Sequence, residues 1–561
     1  MLLSRLAAYT QDRLERQPVM YISRPVKWLI DLDENGKYLG ITMLSDGTGT
    51  RNDRGKQMNL PHVMKSSGIK AKLLSDNAEY VLGLYDADKK RKRVNKCHRV
   101  FLELLDDCAK KTDGKSIQAI LDFYKTGGMP QDEIERNSIQ GKDEVTFRVA
   151  GAYPFELPVV QDYWAAKSAI DVSSKGQCVV CGQNGPVLQR IPHKIKRIPD
   201  GQSAGNSIIS ANADPFESYG LENSLIAPTC PRCAEDFSRA LNSLLADKNS
   251  HIRVGPSVYV FWTKEESDFT IGNYFQQPDP NDVRELIRSV RTARSGNLGL
   301  DESDFYAVSL SASGARVVVR DYLETTIFQV KKKLARWFEM QSIVNTNGHE
   351  GDPIAIYPLA ASLYRDANKE MTPHILPALV GSALHGNPLP EWLLALAVRR
   401  NIADRQVTRP RAALIKMVLF SMNIQKILED NDMVERGKNS ENQAYQLGRL
   451  MAVLESIQKE ALKGIKSTIT DRFYGSASTA PASVFGRLLS GSKAHLSKIR
   501  KDKKWLYDIL EERLEEVCGA ITSFPAILKL KDQGMFALGY YHRKADARKE
   551  IENRMKNKED K

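Results

Sequence analysis

The sequence predicts an α+β protein: a mixed N-terminal region with a four-cysteine zinc insert, followed by an all-α C-terminal helical bundle. Three observations lead to this fold class. Segments with the β-branched and aromatic content of strands alternate with helical segments up to about residue 340. From about Leu359 strand-like segments fade, and apolar residues recur at helical spacing. Two Cys-x2-Cys pairs interrupt the mixed region in the pattern of a zinc site.

The N-terminal region begins with the apolar spacing of an amphipathic helix, MLLSRLAAYTQDRLERQ. Asn35-Gly36 then lies between two apolar runs, the composition of a type I′ turn, and predicts an antiparallel hairpin over 26–44. The basic run DKKRKRVNKCHR opens a further helix. Its cations are either solvated or placed for phosphate contact.

The segments that follow continue this pattern. RVGPSVYVFWTKE has strand composition, and FYAVSLSASGARVVVRDYLETTIFQVKKKLARWF predicts strand, turn, strand and helix. NQAYQLGRLMAVLESIQKEALKGI and DKKWLYDILEERLEEVCGAI predict amphipathic helices of a bundle. The predicted regions are 1–350 (α+β, with a cysteine-paired zinc segment at 175–240), 351–435 (helical connection) and 436–561 (basic bundle).

Length and charge narrow the class of protein. A chain of 561 residues exceeds one compact core, so we expect about two to four domains. Its net charge of +12 favours a polyanionic partner, most simply nucleic acid. Residues 441–561 hold 23 Lys and Arg against 16 Asp and Glu, so the excess concentrates in the bundle. No stretch approaches the roughly 20 apolar residues of a membrane span, and no secretory signal is recognisable, which predicts a cytoplasmic protein.

The two cysteine pairs are Cys178/Cys181 and Cys230/Cys233. Each two-residue spacer lets both sulfurs of a pair turn onto one ion, so the four thiolates predict a tetrahedral Zn²⁺ site. Free thiols and a redox pair are the alternatives, although a redox role needs only one pair. Four sulfur ligands leave no position for water, so the zinc is expected to be structural.

Between the pairs lies a polar segment, RIPHKIKRIPDGQSAGNSIISANADPFESYG, from Arg190 to Gly220. A metal would close its base and reduce the freedom that the segment loses on binding a partner.

No catalytic constellation is recognisable in the sequence. His349-Glu350 lacks the second histidine of a zinc protease helix, a Gly-x-Ser-x-Gly elbow is missing, and the acidic residues show no paired-metal spacing. The sequence therefore favours a binding protein over an enzyme. A zinc-containing nuclease or nucleic-acid-modifying enzyme is the alternative, and a nucleic-acid scaffold without sequence preference is a third hypothesis.

Five stretches together resemble the large subunit of the type I-C CRISPR effector complex (type I-C Cascade), of the Csd family. They are KSSGIKAKLLSDNAEYVLG, IPHKIKRIPDGQSAGNSIISANADPFESYG, VYVFWTKE, STITDRFYGSASTAPASVFGRLL and FALGYYHR, and they occur in the family's order over nearly the whole chain. The zinc site rests on cysteine spacing and not on this resemblance.

The resemblance implies a non-catalytic subunit that recognises the protospacer-adjacent motif of a target duplex and promotes strand separation and R-loop formation. It also implies contact with the displaced strand and recruitment of a helicase-nuclease. The implied partners are guide RNA (crRNA), double-stranded target DNA and the backbone subunits. The C-terminal bundle resembles the small subunit of related complexes, which can be made from an internal start; Met422 and Met433 would suit.

Residue roles follow as expectations. Motif reading needs groove-edge hydrogen bonds from polar side chains, and backbone contact needs cations. The expected DNA-binding residues of the N-terminal region are Lys65, Ser66, Lys70, Lys72, Asn77, Lys194, Lys196, Arg197, Gln202, Ser203 and Asn212. Those expected to contact the displaced strand are Arg472, Arg487, Lys493, Lys498 and Arg500.

Overall fold

The computed structural model describes residues 2–15, 17–45, 47, 55–63, 68–85, 91–170, 174–292, 302–421 and 442–559. The chain forms two compact units: Met1–Ala246 with Ala312–Val318, and Asp247–Ser311 with Val319–Lys561. Sheets occupy the N-terminal half, helices dominate the C-terminal part, and four cysteines cluster, so the predicted fold class is confirmed. The predicted regions 1–350, 351–435 and 436–561 do not coincide with the compact units and remain a functional prediction.

The first unit combines three sheets with seven helices among its described residues. Its strands are β1 (Tyr21–Val26), β2 (Trp28–Leu32), β3 (Tyr38–Met43), β4 (Lys56–Pro61), β5 (Ser75–Asn77), β6 (Glu144–Val149), β7 (Ser174–Gln177) and β8 (Asn184–Val187). Its helices are α1 (Leu2–Arg13), α2 (Ala78–Val81), α3 (Arg91–Thr112), α4 (Lys115–Lys125), α5 (Gln131–Arg136), α6 (Pro158–Ile170) and α7 (Pro231–Leu244).

A four-stranded sheet of order β3-β2-β6-β5 forms the main core of this unit. Strands β2 and β6 are parallel, while β3 and β5 are antiparallel to their neighbours. Phe101 of α3, Phe123 of α4 and Phe147 of β6 are fully buried in one cluster, because each helix turns its apolar stripe onto the sheet. Two antiparallel pairs, β1-β4 and β7-β8, complete the unit.

The predicted hairpin over 26–44 is confirmed as β2 and β3, but its predicted turn type is wrong. The connection spans residues 33–37, and only Gly36 in it has a positive φ (83°), whereas a type I′ turn needs two such residues. Asp33 replaces that geometry, because its Oδ1 accepts hydrogen bonds from the backbone N–H groups of Asn35 (2.9 Å) and Lys37 (2.8 Å).

The second unit places one sheet beside a helical core. Its strands are β9 (His251–Val254), β10 (Ser257–Thr263), β11 (Asp304–Ser313) and β12 (Arg316–Thr326), in the order β12-β11-β10-β9. Its helices are α8 (Gly272–Gln276), α9 (Pro280–Thr292), α10 (Ile327–Gln341), α11 (Ile356–Ala361), α12 (Ala367–Glu370), α13 (Ile375–His385), α14 (Glu391–Asp404), α15 (Arg409–Ser421), α16 (Gln443–Ala461), α17 (Ile469–Thr479), α18 (Phe485–Asp502), α19 (Lys504–Gly519) and α20 (Leu530–Glu559). Every helix in the described residues is too short or too polar to cross a membrane.

Helices α16 and α20 pack with their backbones in direct contact at two glycines. A Cβ atom added at Gly448 would lie 2.0 Å from the carbonyl oxygen of Phe536, and one added at Gly539 would lie 2.0 Å from that of Tyr445. Both distances are far below van der Waals contact, so only glycine fits at either position. The bundle core is therefore built around a close crossing of these two helices.

We predict that Gly448→Ala destabilises the second unit by about 1–3 kcal/mol, because the new methyl group must push the two helices apart. The measurement is the midpoint of thermal or urea unfolding.

Gly491→Ala in α18 is the matched control, because an added Cβ there meets nothing within 4 Å. Alanine should leave that helix as stable or stabilise it by up to about 1 kcal/mol. Equal unfolding midpoints for the two variants would contradict the close crossing.

Candidate metal centre and nucleic-acid interface

The four predicted cysteines come together in the first unit. The sulfur atoms of Cys178, Cys181, Cys230 and Cys233 all lie within 4.8 Å of one another, and those of Cys181 and Cys230 are 4.0 Å apart. Four sulfurs bound tetrahedrally at about 2.3 Å from one ion would be about 3.8 Å apart. The spacing is therefore close to that of a four-thiolate site, and the cluster could hold a metal ion.

Local turn chemistry places each pair. After β7 the chain reverses at Gly182, whose φ of 75° suits glycine and whose N–H donates to the Cys178 carbonyl (2.8 Å). The second pair begins α7: Cys230 is the N-cap residue, Pro231 occupies the first helical position, and the Cys230 sulfur accepts from the Cys233 N–H (3.5 Å). The Cys230 N–H in turn donates to the Cys178 sulfur (3.4 Å), which links the two pairs.

These contacts already favour one thiolate. The hydrogen bond from the Cys233 thiol, helped by the Cys233 N–H, outweighs burial and lowers the pKa of Cys230 to about 5. The same thiol bond raises the pKa of Cys233. A bound cation would favour the deprotonated form of all four groups, since thiolates are the metal-binding form.

Hydrogen bonds to a side chain of α7 hold one part of the polar segment between the pairs in place. Asn242 accepts from the Lys196 N–H (2.8 Å) and donates to the Lys194 carbonyl (2.9 Å), so one amide holds both sides of the basic stretch. Ile195 is fully buried between these two lysines, and its backbone pairs with that of Asn206 (2.9 and 2.8 Å). The chain consequently doubles back on itself between residues 195 and 206.

The turn between β11 and β12, whose residues Ala312–Val318 belong to the first unit, holds the segment at a second place. Ser207 accepts from the Val317 N–H (2.8 Å) and donates its own N–H to Ala315 (2.9 Å). Arg316 donates to the Ser210 carbonyl (3.0 Å) and to the Asn212 side chain, and its guanidinium lies 3.8 Å from the centroid of the Phe216 ring. A segment poor in large apolar residues is thus ordered by polar contacts.

The expected DNA-binding residues of this segment fall into two groups. Lys196, Arg197, Gln202 and Ser203 have exposed side chains on a backbone that is held in place. Lys194 and Asn212 already have intramolecular partners, because Lys194 donates to the Ser207 hydroxyl and the Asn212 side-chain oxygen accepts from Arg316.

The far end of the segment is acidic. Tyr219 is fully exposed at a tight turn, with a left-handed φ of 53°, and the Leu221 N–H closes the turn on the Ser218 carbonyl (2.9 Å). Glu217 and Glu222 flank this turn. Their negative charges would repel a nucleic-acid backbone, so any phosphate contact belongs to the basic stretch near Arg197.

One of the expected residues near β5, Lys72, lies in a largely buried charge network. Lys72 forms ion pairs with Glu144 (3.0 Å) and Asp76 (3.5 Å), and Arg24 also pairs with Glu144 (3.0 Å). Lys72 therefore already neutralises carboxylates, whereas Lys70 is exposed.

Asn77 is a further expected DNA-binding residue of this region, and Lys65 and Ser66 precede it in the sequence. Asn77 ends β5, and its side-chain oxygen is buried without a hydrogen-bond partner among the described residues. Lys65, Ser66 and the possible start residues Met422 and Met433 lie outside the described residues.

In the second unit the five expected strand-contacting cations, Arg472, Arg487, Lys493, Lys498 and Arg500, are all exposed. Arg472 lies on α17 and the others on α18. Helical periodicity puts Arg487 and Lys498 on one face of α18 and Lys493 and Arg500 on a neighbouring face. The guanidinium of Arg487 lies over the Phe473 ring, 4.7 Å from its centroid.

Sequence reasoning did not identify Asn242 and Arg316 as the residues that hold the polar segment. Asn242 lies 46 positions from Lys196, and Arg316 lies 104 positions from Asn212. No local pattern marks either residue, because both act through partners that only folding brings near.

Nearly the whole chain is similar to one family of known proteins. The family model described as CRISPR-associated protein (Cas_Csd1) matches residues 4–548 of the chain. No curated protein matches the sequence.

We predict that Cys178→Ser reduces bound metal to less than about half an equivalent per chain, because three thiolates and a hydroxyl hold a soft cation poorly. Limited trypsin digestion should then cut faster at Lys194, Lys196 and Arg197, since the base of the segment is no longer closed. Metal analysis and digestion rates are the two measurements.

Cys518→Ser serves as the matched control, because this thiol lies outside the cluster. It should keep the metal content and the digestion rate of the parent chain. Unchanged metal content in Cys178→Ser would contradict a four-cysteine site.

Proposed function

The chain belongs to the Cas_Csd1 family of CRISPR-associated proteins, and we propose that it serves as the non-catalytic large subunit of an RNA-guided DNA surveillance complex. In this role it recognises the protospacer-adjacent motif in duplex DNA and promotes strand separation and R-loop formation. It also contacts the displaced strand and helps recruit the helicase-nuclease. Its partners in the proposal are the crRNA, the target DNA and the backbone subunits.

The observation that best supports this proposal is that the backbone of the polar segment is held in place while several of its polar side chains are exposed. Exposed Lys196, Arg197 and Gln202 project from a backbone held by Asn242, by Asn206 and by the cysteine cluster at its base. A segment whose backbone is already held in place loses little backbone freedom on binding, which favours specific contacts with base edges and phosphates. Sequence itself would be read by the guide, so the protein needs to read only a short motif.

We propose that the metal is Zn²⁺ and that its role is structural. Four thiolates are a typical zinc ligand set, and they would fill a tetrahedral shell without leaving a position for water. The ion would then act by closing the base of residues 182–229 and not by activating a nucleophile. Cys230, whose pKa is lowered to about 5 by the hydrogen bond from Cys233, would contribute one thiolate at neutral pH.

The test is to assemble the chain with crRNA and backbone subunits and to compare its binding to duplexes that differ only in the flanking motif. A preference of tenfold or more for one motif is expected, since each wrong base pair costs about 1–3 kcal/mol. Equal affinity for all motifs would overturn the motif-reading role. Cleavage of DNA by the purified chain with Mg²⁺ would favour the rival zinc-containing nuclease.

We predict that Lys70→Glu weakens target binding by the assembled complex and lowers the slope of log affinity against log salt by about 1, because one phosphate contact is lost. Lys37→Glu is the matched control, an exposed lysine of the same unit that is not expected on DNA. An unchanged slope for Lys70→Glu would exclude Lys70 from the phosphate contacts.

Lys72→Glu is expected to unfold the first unit, because it would place a third carboxylate beside Glu144 and Asp76.

A further inference from the structure

The corner where α18 ends and α19 begins exposes an aromatic side chain. Trp505, in the first turn of α19, is 58% exposed, while Trp392 is 37% exposed and the other four tryptophans are at most 5% exposed. An indole is the largest apolar side chain, and leaving it in water forgoes its burial energy. A single exposed apolar side chain does not by itself mark a binding site, so its significance depends on the charged residues beside it.

Cations precede Trp505 in the sequence, with Asp502 as the one acidic residue among them. Arg500 and Lys501 end α18, and Lys503 and Lys504 begin α19. None of the four forms an ion pair with another described residue. The guanidinium of Arg500 lies 5.4 Å from the centroid of the Tyr507 ring, which is two positions after Trp505 and therefore on a different side of α19.

Helix stability does not account for Lys504. Arg500, Lys501 and the C-cap residue Lys503 complement the negative end of the α18 dipole, but Lys504 stands at the positive end of α19, where a cation is unfavourable. The first turn of α19 contains no acidic residue, and Asp502 lies two positions before Lys504. An unfavourable cation and an exposed indole at one corner together indicate a ligand that is anionic and has aromatic faces.

We propose that this corner binds single-stranded nucleic acid, with one base stacked on Trp505 and the flanking phosphates held by Lys501, Lys503 and Lys504. An unpaired base offers its face to an aromatic ring, whereas the faces of bases inside a duplex are already stacked. The exposed cations Arg487 and Lys498, on the same face of α18 as Lys501, extend the phosphate path. The inference rests on the proposed contact with the displaced strand and names the residue that recognises its bases.

The experiment uses the full-length chain and an oligothymidine strand. Binding is followed by quenching of tryptophan emission and, independently, by anisotropy of a labelled strand. Trp505→Ala should weaken binding about 5- to 150-fold while leaving the salt slope unchanged, since a stacking contact but no phosphate contact is lost. Trp505→Phe retains a ring and should keep most of the affinity.

Two controls separate stacking from charge. Lys501→Gln with Lys504→Gln should weaken binding and lower the salt slope by about 1.4, because two phosphate contacts are lost. Trp392→Phe should retain both the affinity and the quenching, since its tryptophan lies outside the corner. A duplex of the same sequence should bind with the same affinity to Trp505→Ala and to the parent chain.

Three outcomes would overturn the inference: an unchanged strand affinity in Trp505→Ala, an equal loss of strand and duplex affinity, or quenching that persists in Trp505→Phe. If Trp505→Ala has no effect while the lysine pair still changes the salt slope, displaced-strand contact stands and only the stacking role fails. Motif preference of the assembled complex is measured separately and does not depend on Trp505.

Discussion

Four sulfur atoms within 4.8 Å of one another bring together the two ends of a long polar segment, and a metal ion bound to them would close its base. Residues 182–229 contain too few large apolar side chains to form a core of their own. A metal bound to thiolates from both ends would supply the stabilising free energy that burial does not supply. The helix that provides Cys230 and Cys233 also provides Asn242, so the closure and the clamp on the basic stretch share one rigid element.

Polar contacts then complete the order of the segment. Backbone groups that fold against the protein need hydrogen-bond partners, and here Asn206, Asn242 and the turn near Arg316 supply them. The polar composition of the segment thus contributes to holding its backbone in place. The result is a basic stretch of fixed backbone at one end and an acidic turn around Tyr219 at the other.

The basic residues of the chain consequently serve different purposes. Lys72 and Arg24 neutralise buried carboxylates and stabilise the sheet, while Lys196 and Arg197 stay exposed. In the C-terminal bundle, exposed cations follow α18 to a corner that also exposes Trp505. Net charge alone favoured nucleic acid, but the contacts separate structural cations from those free to meet phosphates.

The sequence by itself determined what short-range chemistry encodes. Strand content in β9 to β12, helical periodicity in α16 and α19, the hairpin of β2 and β3 and each of the two Cys-x2-Cys pairs could all be predicted, because each depends on neighbours close in the sequence. Tertiary structure alone decided the close crossing at Gly448 and Gly539 and the partners of Lys72, Asn212 and Lys194. Those depend mainly on residues 13 to 104 positions away, and a hydrogen bond or a backbone contact between such residues leaves no periodic mark on the chain that forms it.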